Sequence, residues 1–105
     1  MKLIKAIVRP EKEADVIKGL EAARLSAMTK WDVLGCGRQR GVQVGAAVYE
    51  ELSKLCLLLV VQDEEVPKAV EAILGSARTG HPGDGRIFVQ DVSSAYTIRT
   101  GKADA

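Results

Sequence analysis

Residues 2–9 alternate: Ile4, Ala6 and Val8 fall on one face and Leu3, Lys5, Ile7 and Arg9 on the other, which is the period of a β-strand. Pro10 ends that strand. From Glu11 the period becomes helical. Val16, Ile17, Leu20 and Ala23 share a face while Lys12, Glu13, Lys18, Glu21 and Arg24 point away, so an amphipathic helix is predicted over 11–24. A second strand, MTKWDVLGC at 28–36, runs into a glycine-rich stretch. LCLLLVV at 55–61 is a continuous apolar run and reads as a central strand buried on both faces. Asp63, Glu64 and Glu65 then set acids at a helix N-terminus, with Pro67 in the first turn. That helix runs to about Ala77 and is expected to bury Val66, Val70, Ile73 and Leu74. A short strand, RIFVQ at 86–90, follows, and the tail carries one more apolar patch at Tyr96 and Ile98.

The order strand, helix, strand, long loop, strand, helix, strand specifies an α+β, ferredoxin-like βαββαβ sandwich: a four-stranded antiparallel sheet with two helices on one face. Leu3, Ile7 and alternate residues of 55–61 then point to the opposite face. In a single domain of 105 residues, the candidate to cover that face is another subunit.

Composition narrows the chemistry. The chain is 47% hydrophobic but 4% aromatic, so the core is aliphatic, with Trp31 and Tyr96 expected to pack and Tyr49 to be exposed. Fifteen basic and 14 acidic residues leave a net charge of +1, which supplies no global attraction to nucleic acid or anionic membrane, so any anion site is local. Cys36 and Cys56 lack disulfide or zinc spacing and read as buried thiols. The charges in MKLIKAIVRP argue against a signal segment, no run is long enough to span a membrane, and a cytoplasmic protein is the expectation.

Two loops carry candidate chemistry. Residues 35–54, GCGRQRGVQVGAAVYEELSK, are too long for a hairpin turn. Gly35, Gly37 and Gly41 allow close backbone approach to a ligand, and Arg38, Arg40 and Lys54 add positive charge. No helix opens behind the motif, so it is neither a dinucleotide fingerprint nor a P-loop. In the second loop, TGHPGDG at 79–85, Gly80, Gly83 and Gly85 expose amides. Thr79 offers a hydroxyl, Asp84 accepts from a ribose or an amide, and Arg86 stands at the exit for a phosphate. With strands one and three central, the two loops need not converge within one chain, whereas between neighbouring subunits they could form a cleft. His81 has no partners for nucleophilic catalysis and reads as a loop residue.

With both loops read, the sequence resembles the PII signal-transduction family over nearly its whole length. The opening MKLIKAIVRPEK, GCGRQRG for the family's GxGRQ[KR]G, LSK for LPK, TGHPGDGRIFV for TGxxGDGKIFV, and IRTG appear in the family's order. The resemblance implies a single PII-like domain over 1–105, with a T-loop at about 37–53, a B-loop at about 79–86 and a C-terminal segment at about 94–105. It also implies a trimer with ATP or ADP in the clefts between subunits. Gly35, Gly37, Arg38 and Gln39 would line the nucleotide from the T-loop side. Thr79, Gly83, Asp84, Gly85 and Arg86 match positions that hold phosphates and ribose, and Ile7, Thr29 and Val60 match positions near the base. Arg99 matches a phosphate-contacting arginine from the neighbouring subunit. The resemblance further implies 2-oxoglutarate bound with the nucleotide and Mg2+, the metal touching Gln39. Lys54 would pair with the distal carboxylate, and amides around Gly37, Gln39, Arg40 and Gly41 would hold the rest.

Thr97 stands where common members have another arginine, and the T-loop is shorter, with Tyr49 closer to the third strand than the tyrosine that bacterial members uridylylate. These departures, with VQVG and AYTIRTG, resemble the nitrogenase-associated NifI branch, whose members pair with a second PII-type subunit and inhibit dinitrogenase when 2-oxoglutarate is low. The implied protein is a non-catalytic sensor, either a homotrimer or a mixed assembly. General control of ammonium transport or glutamine synthetase is the alternative. Two other readings of the fold find less support. A phosphate-cleaving enzyme needs a base that is not visible, and an RNA-binding sheet needs aromatic platforms that LCLLLVV lacks.

Overall fold

The computed structural model describes residues 1–36, 43–44, 47–48 and 51–104. Four strands form one antiparallel sheet: β1 (Lys2–Val8), β2 (Thr29–Cys36), β3 (Glu51–Val61) and β4 (Gly85–Asp91), in the order β2-β3-β1-β4. Helices α1 (Glu13–Ala22) and α2 (Val66–Ala77) cover one face. This is the ferredoxin-like arrangement that the element order predicts.

The alternation in β1 decides which face is which. Ile4, Ala6 and Val8 are buried beneath the helices, opposite Leu59, Leu57 and Leu55 of β3. Val16 and Leu20 of α1 and Ala69, Ile73 and Ala77 of α2 close the core. The helices approach closely because Gly19 packs on Ala72 and Ser76, where a Cβ would lie 3.2 Å from the Ala72 carbonyl oxygen.

Several expectations need correction. β3 is buried along its helix face but only in part on the outer one: Cys56 is buried there, while Leu58 is half-buried and Val60 is 47% exposed, because a single chain leaves that part of the outer face uncovered. In α2 the buried stripe is Ala69, Ile73 and Ala77. Val66 and Val70 are half-buried and Leu74 is 49% exposed, rotated toward the β4 edge. Trp31 and Tyr96 do not pack in the single chain, at 42% and 66% exposure, because Trp31 lies on the open outer face and Tyr96 on the tail. Cys56 is a buried free thiol, as expected, while the side chain of Cys36 lies outside the described residues.

The first helix stops short of its predicted end. Arg24 N–H donates to Glu21 and Leu25 N–H to Leu20, the paired bonds of a Schellman ending, with Leu20 and Leu25 both buried. Arg24 holds the left-handed position at φ 62°, where glycine is favoured. Arg24→Gly is therefore expected to raise stability by about 1 kcal/mol in urea denaturation; a destabilised variant would show that the arginine side chain contributes more than its backbone costs.

Beyond the end of β1, strands β2 and β3 continue as a two-stranded arm through Val33↔Lys54, Leu34↔Ser53, Gly35↔Leu52 and Cys36↔Glu51. Within the long connection, Gln43–Val44 pairs with Ala47–Val48 as a second, two-rung ladder.

Candidate functional site

The second loop is shaped by one carboxylate. Asp84 accepts from the backbone N–H of Thr79 and of Gly80, both at 2.8 Å, and from the Thr79 hydroxyl, which in turn accepts from His81 N–H at 3.2 Å. Its fourth bond is long-range: Arg9 Nε donates to Asp84 Oδ1 at 2.9 Å, and Arg9 Nη2 donates to the Pro82 carbonyl at 2.8 Å. The Thr79 hydroxyl, then the Arg9 guanidinium and the two amides, hold the Asp84 carboxyl well below the usual carboxylate range. The oxygens of Thr79 and Asp84, read from sequence as ligand contacts, are thus engaged inside the loop.

Glycine does the remaining shaping. Gly80, Gly83 and Gly85 take φ of 87°, 97° and 104°. The turn His81–Pro82–Gly83–Asp84 has Pro in its second place and a positive-φ Gly in its third, the pattern of a type II turn. At Gly85 a Cβ would lie 1.7 Å from the Ile7 carbonyl oxygen, so β4 enters the sheet only with glycine there.

The two loops meet within one chain, which the sequence reading did not require. Lys54, at the base of the first loop, donates to the Gly83 carbonyl. The register explains the meeting. β1 pairs Val8 with Leu55 on one side and Gly85 on the other, so one step further the same alignment sets Arg9 between Lys54 and Asp84. Gly35 faces this row: a Cβ there would come within 3.2 Å of Lys54 Cγ.

The outer face continues from that row. Ile7 lies opposite Cys56 and Arg86, Thr29 opposite Leu58, and Val60 opposite Leu3, so Ile7, Thr29, Val60 and Arg86 share this face. Around the β4 edge, a groove of about 360 Å³ is lined by Val70, Leu74, Ala77 and Ile87, with Arg78 and Arg86 among its polar lining residues. Arg99 stands apart, exposed between the paired segments Tyr96–Thr97 and Lys102–Ala103, with no hydrogen bond to the second loop among the described residues. Thr97 closes that tail hairpin through its hydroxyl on Asp104. Gly37, Arg38, Gln39, Arg40, Gly41 and Tyr49 lie outside the described residues. Among the described residues no cluster of three or more His, Cys, Asp or Glu side chains could hold a metal ion, and no helix is long and apolar enough to cross a membrane.

Sequence reasoning missed Arg9, which it assigned only to a strand face. The signal exists in the Arg-Pro pair that ends β1, but it has meaning only once Asp84 is known to begin the neighbouring strand's approach.

The family profile described as nitrogen regulatory protein P-II matches residues 1–102. The chain belongs to the P-II family. It is 51% identical over 102 residues, 97% of each chain, to nitrogen fixation nifHD region GlnB-like protein 1 of Methanothermococcus thermolithotrophicus. A nifHD1 region GlnB-like protein 1 of Methanosarcina barkeri is 50% identical over the same shares. The nitrogen regulatory protein P-II of Pasteurella multocida is 42% identical, covering 97% of this chain and 95% of its own length.

The depressed Asp84 carboxyl makes a pH prediction for this P-II chain. A carboxyl whose folded pKa is lowered contributes stability that is fully present above its ordinary value and lost as pH falls below it. The stability difference between wild type and Asp84→Asn is therefore expected to be constant above about pH 5 and to shrink below about pH 4. Urea denaturation of both proteins at pH 7, 4 and 3 measures it. A difference that stays the same at all three would mean the carboxylate does not organise the loop.

Proposed function

We propose that this P-II protein is a non-catalytic sensor that binds ATP or ADP and 2-oxoglutarate and thereby controls a target of nitrogen fixation through its long first loop. The observation that carries the reading is the meeting of the two loops at Lys54 and Gly83, beside a turn built to present backbone amides. The Gly83 N–H has no partner among the described residues, and Arg86 stands exposed at the exit of the same loop. Amides of positive-φ glycines with a nearby guanidinium suit phosphate oxygens. Asp84, fully occupied with Thr79, Gly80 and Arg9, keeps the loop in this shape rather than repelling the anion from its free face.

Lys54 supports the second ligand. A lone ammonium resting on a neutral carbonyl can exchange that partner for a carboxylate, and the ionic pair is the stronger bond. In this reading 2-oxoglutarate takes Lys54 through its distal carboxylate, and Gly35, Gly37, Arg38, Gln39, Arg40 and Gly41 complete the two ligand shells. Mg2+ supplies charge neutralisation between the anions, with Gln39 as its protein contact. Ile7, Thr29 and Val60 border the base, and Arg99 reaches the phosphates from a neighbour.

That neighbour follows from the open outer face. Leu3, Ile7, Leu58, Val60, Trp31 and Phe88 share it, with Val60, Trp31 and Phe88 each more than two-fifths exposed. Covering such a face by association favours an oligomer, which this reading takes as a trimer of identical chains or with a second P-II-type subunit. The nifHD-region names of the relatives support a target in nitrogen fixation; this reading takes it to be dinitrogenase, met in the cytoplasm. A ligand moves the first loop only through its different affinity for two loop states, so 2-oxoglutarate must favour the one that releases the target.

Isothermal titration of 2-oxoglutarate, with and without MgATP, tests the reading. Binding is expected only with MgATP, and Lys54→Ala is expected to weaken it at least tenfold while leaving MgATP affinity within a few-fold. Undiminished 2-oxoglutarate affinity in that variant would defeat the assignment of Lys54.

A further inference from the structure

Arg9 stands outside every ligand set given above, yet it grips the second loop at two points. The bonds from Asp84 to Thr79 and Gly80 are local and close a ring within six residues, so they fix the loop's outline and not the direction of its amides. The Arg9 guanidinium does something different. Its Nη2 holds the Pro82 carbonyl while Nε is pinned on Asp84, and the planar fork restrains direction as well as distance. The Pro82 carbonyl and the Gly83 N–H belong to one peptide unit and point in opposite directions, so whatever fixes the first fixes the second.

That peptide is the central one of the His81–Asp84 turn. Type I and type II turns differ by a rotation of this unit, and a glycine in the third place is compatible with both. Gly83 at φ 97° has the type II form, in which Arg9 is satisfied. We propose that Arg9 is a positioning residue that selects the type II form of this turn and so aims the Gly83 N–H at the bound anion. The proposal rests on the nucleotide reading for the identity of that anion, but not for the orientation of the turn. Lys54, on the next carbonyl along, steadies the following peptide and leaves the Pro82–Gly83 unit to Arg9.

The test uses the intact protein with MgATP as the probe, on wild type, Arg9→Met and Arg9→Lys. Titration calorimetry gives affinity, thermal unfolding gives stability, and the backbone NMR signals of Pro82 and Gly83 without ligand give the turn type. Arg9→Met is expected to lose about tenfold in MgATP affinity. Its Gly83 signals should move or double, while its melting temperature falls by a few degrees with the fold retained. Arg9→Lys, with one ammonium and no fork, should fall between. Unchanged Gly83 signals in Arg9→Met, or moved signals with wild-type MgATP affinity, would overturn the proposal. Failure of wild type to bind MgATP would instead remove the nucleotide reading, and the Gly83 signals would still decide whether Arg9 sets the turn.

Discussion

The register of β1 against its two neighbours is the constraint on which the rest depends. As the strand paired on both edges with β3 and β4, it fixes at once where the first long loop returns to the sheet and where the second loop joins it. Everything at the site is counted from Val8, opposite Leu55 and Gly85. A slip of one residue would exchange the two faces of the strand. It would also carry Arg9 out of reach of Asp84. The slip is opposed by Ile4, Ala6 and Val8, which are buried only in this alignment, and by Gly85, whose missing Cβ lets the Ile7 carbonyl approach.

Much of the fold was legible because its signals are local. The alternation of residues 2–9, the helical periods that follow and the apolar run at 55–61 each describe one element, and their order admits few topologies. What was misread depended on neighbours. Leu74 has the spacing of a core residue, but the helix turns it toward the edge of β4, and Trp31 faces a side of the sheet that one chain does not cover. Of the candidate site, the glycines and Asp84 announced a shaped loop, since positive φ and side-chain-to-amide bonding are what those residues do. Their use was less legible: Thr79 and Asp84 turn inward on each other. Arg9 was invisible because its partner is 75 residues away and only strand pairing brings them together.

Electrostatically the site is local in a chain of near-zero net charge. Lys54 and Arg9 project from adjacent positions of one row, and Asp84 on the other side of Arg9 offsets one of the two charges. Among the described residues Lys54 has a carbonyl dipole and no carboxylate for company, and Arg86 has neither, so these two are the cations open to an incoming anion. A net charge near zero is therefore compatible with the anion site proposed above, since what matters there is which cations are already neutralised.

The two-stranded arm gives the first loop a mechanical character. Four paired rungs beyond the last residue of β1 make a stalk of roughly 13 Å, held by backbone bonds along its length and attached to the sheet at its root. A stalk of this kind tilts more easily than it bends. Lys54 sits in the lowest rung, at the fulcrum, so exchanging its partner acts where a small rotation has the longest lever. A rotation of about five degrees there displaces the end of the stalk by roughly 1 Å, so on the proposed reading a contact between one ammonium and one small acid would be felt by a protein that touches neither.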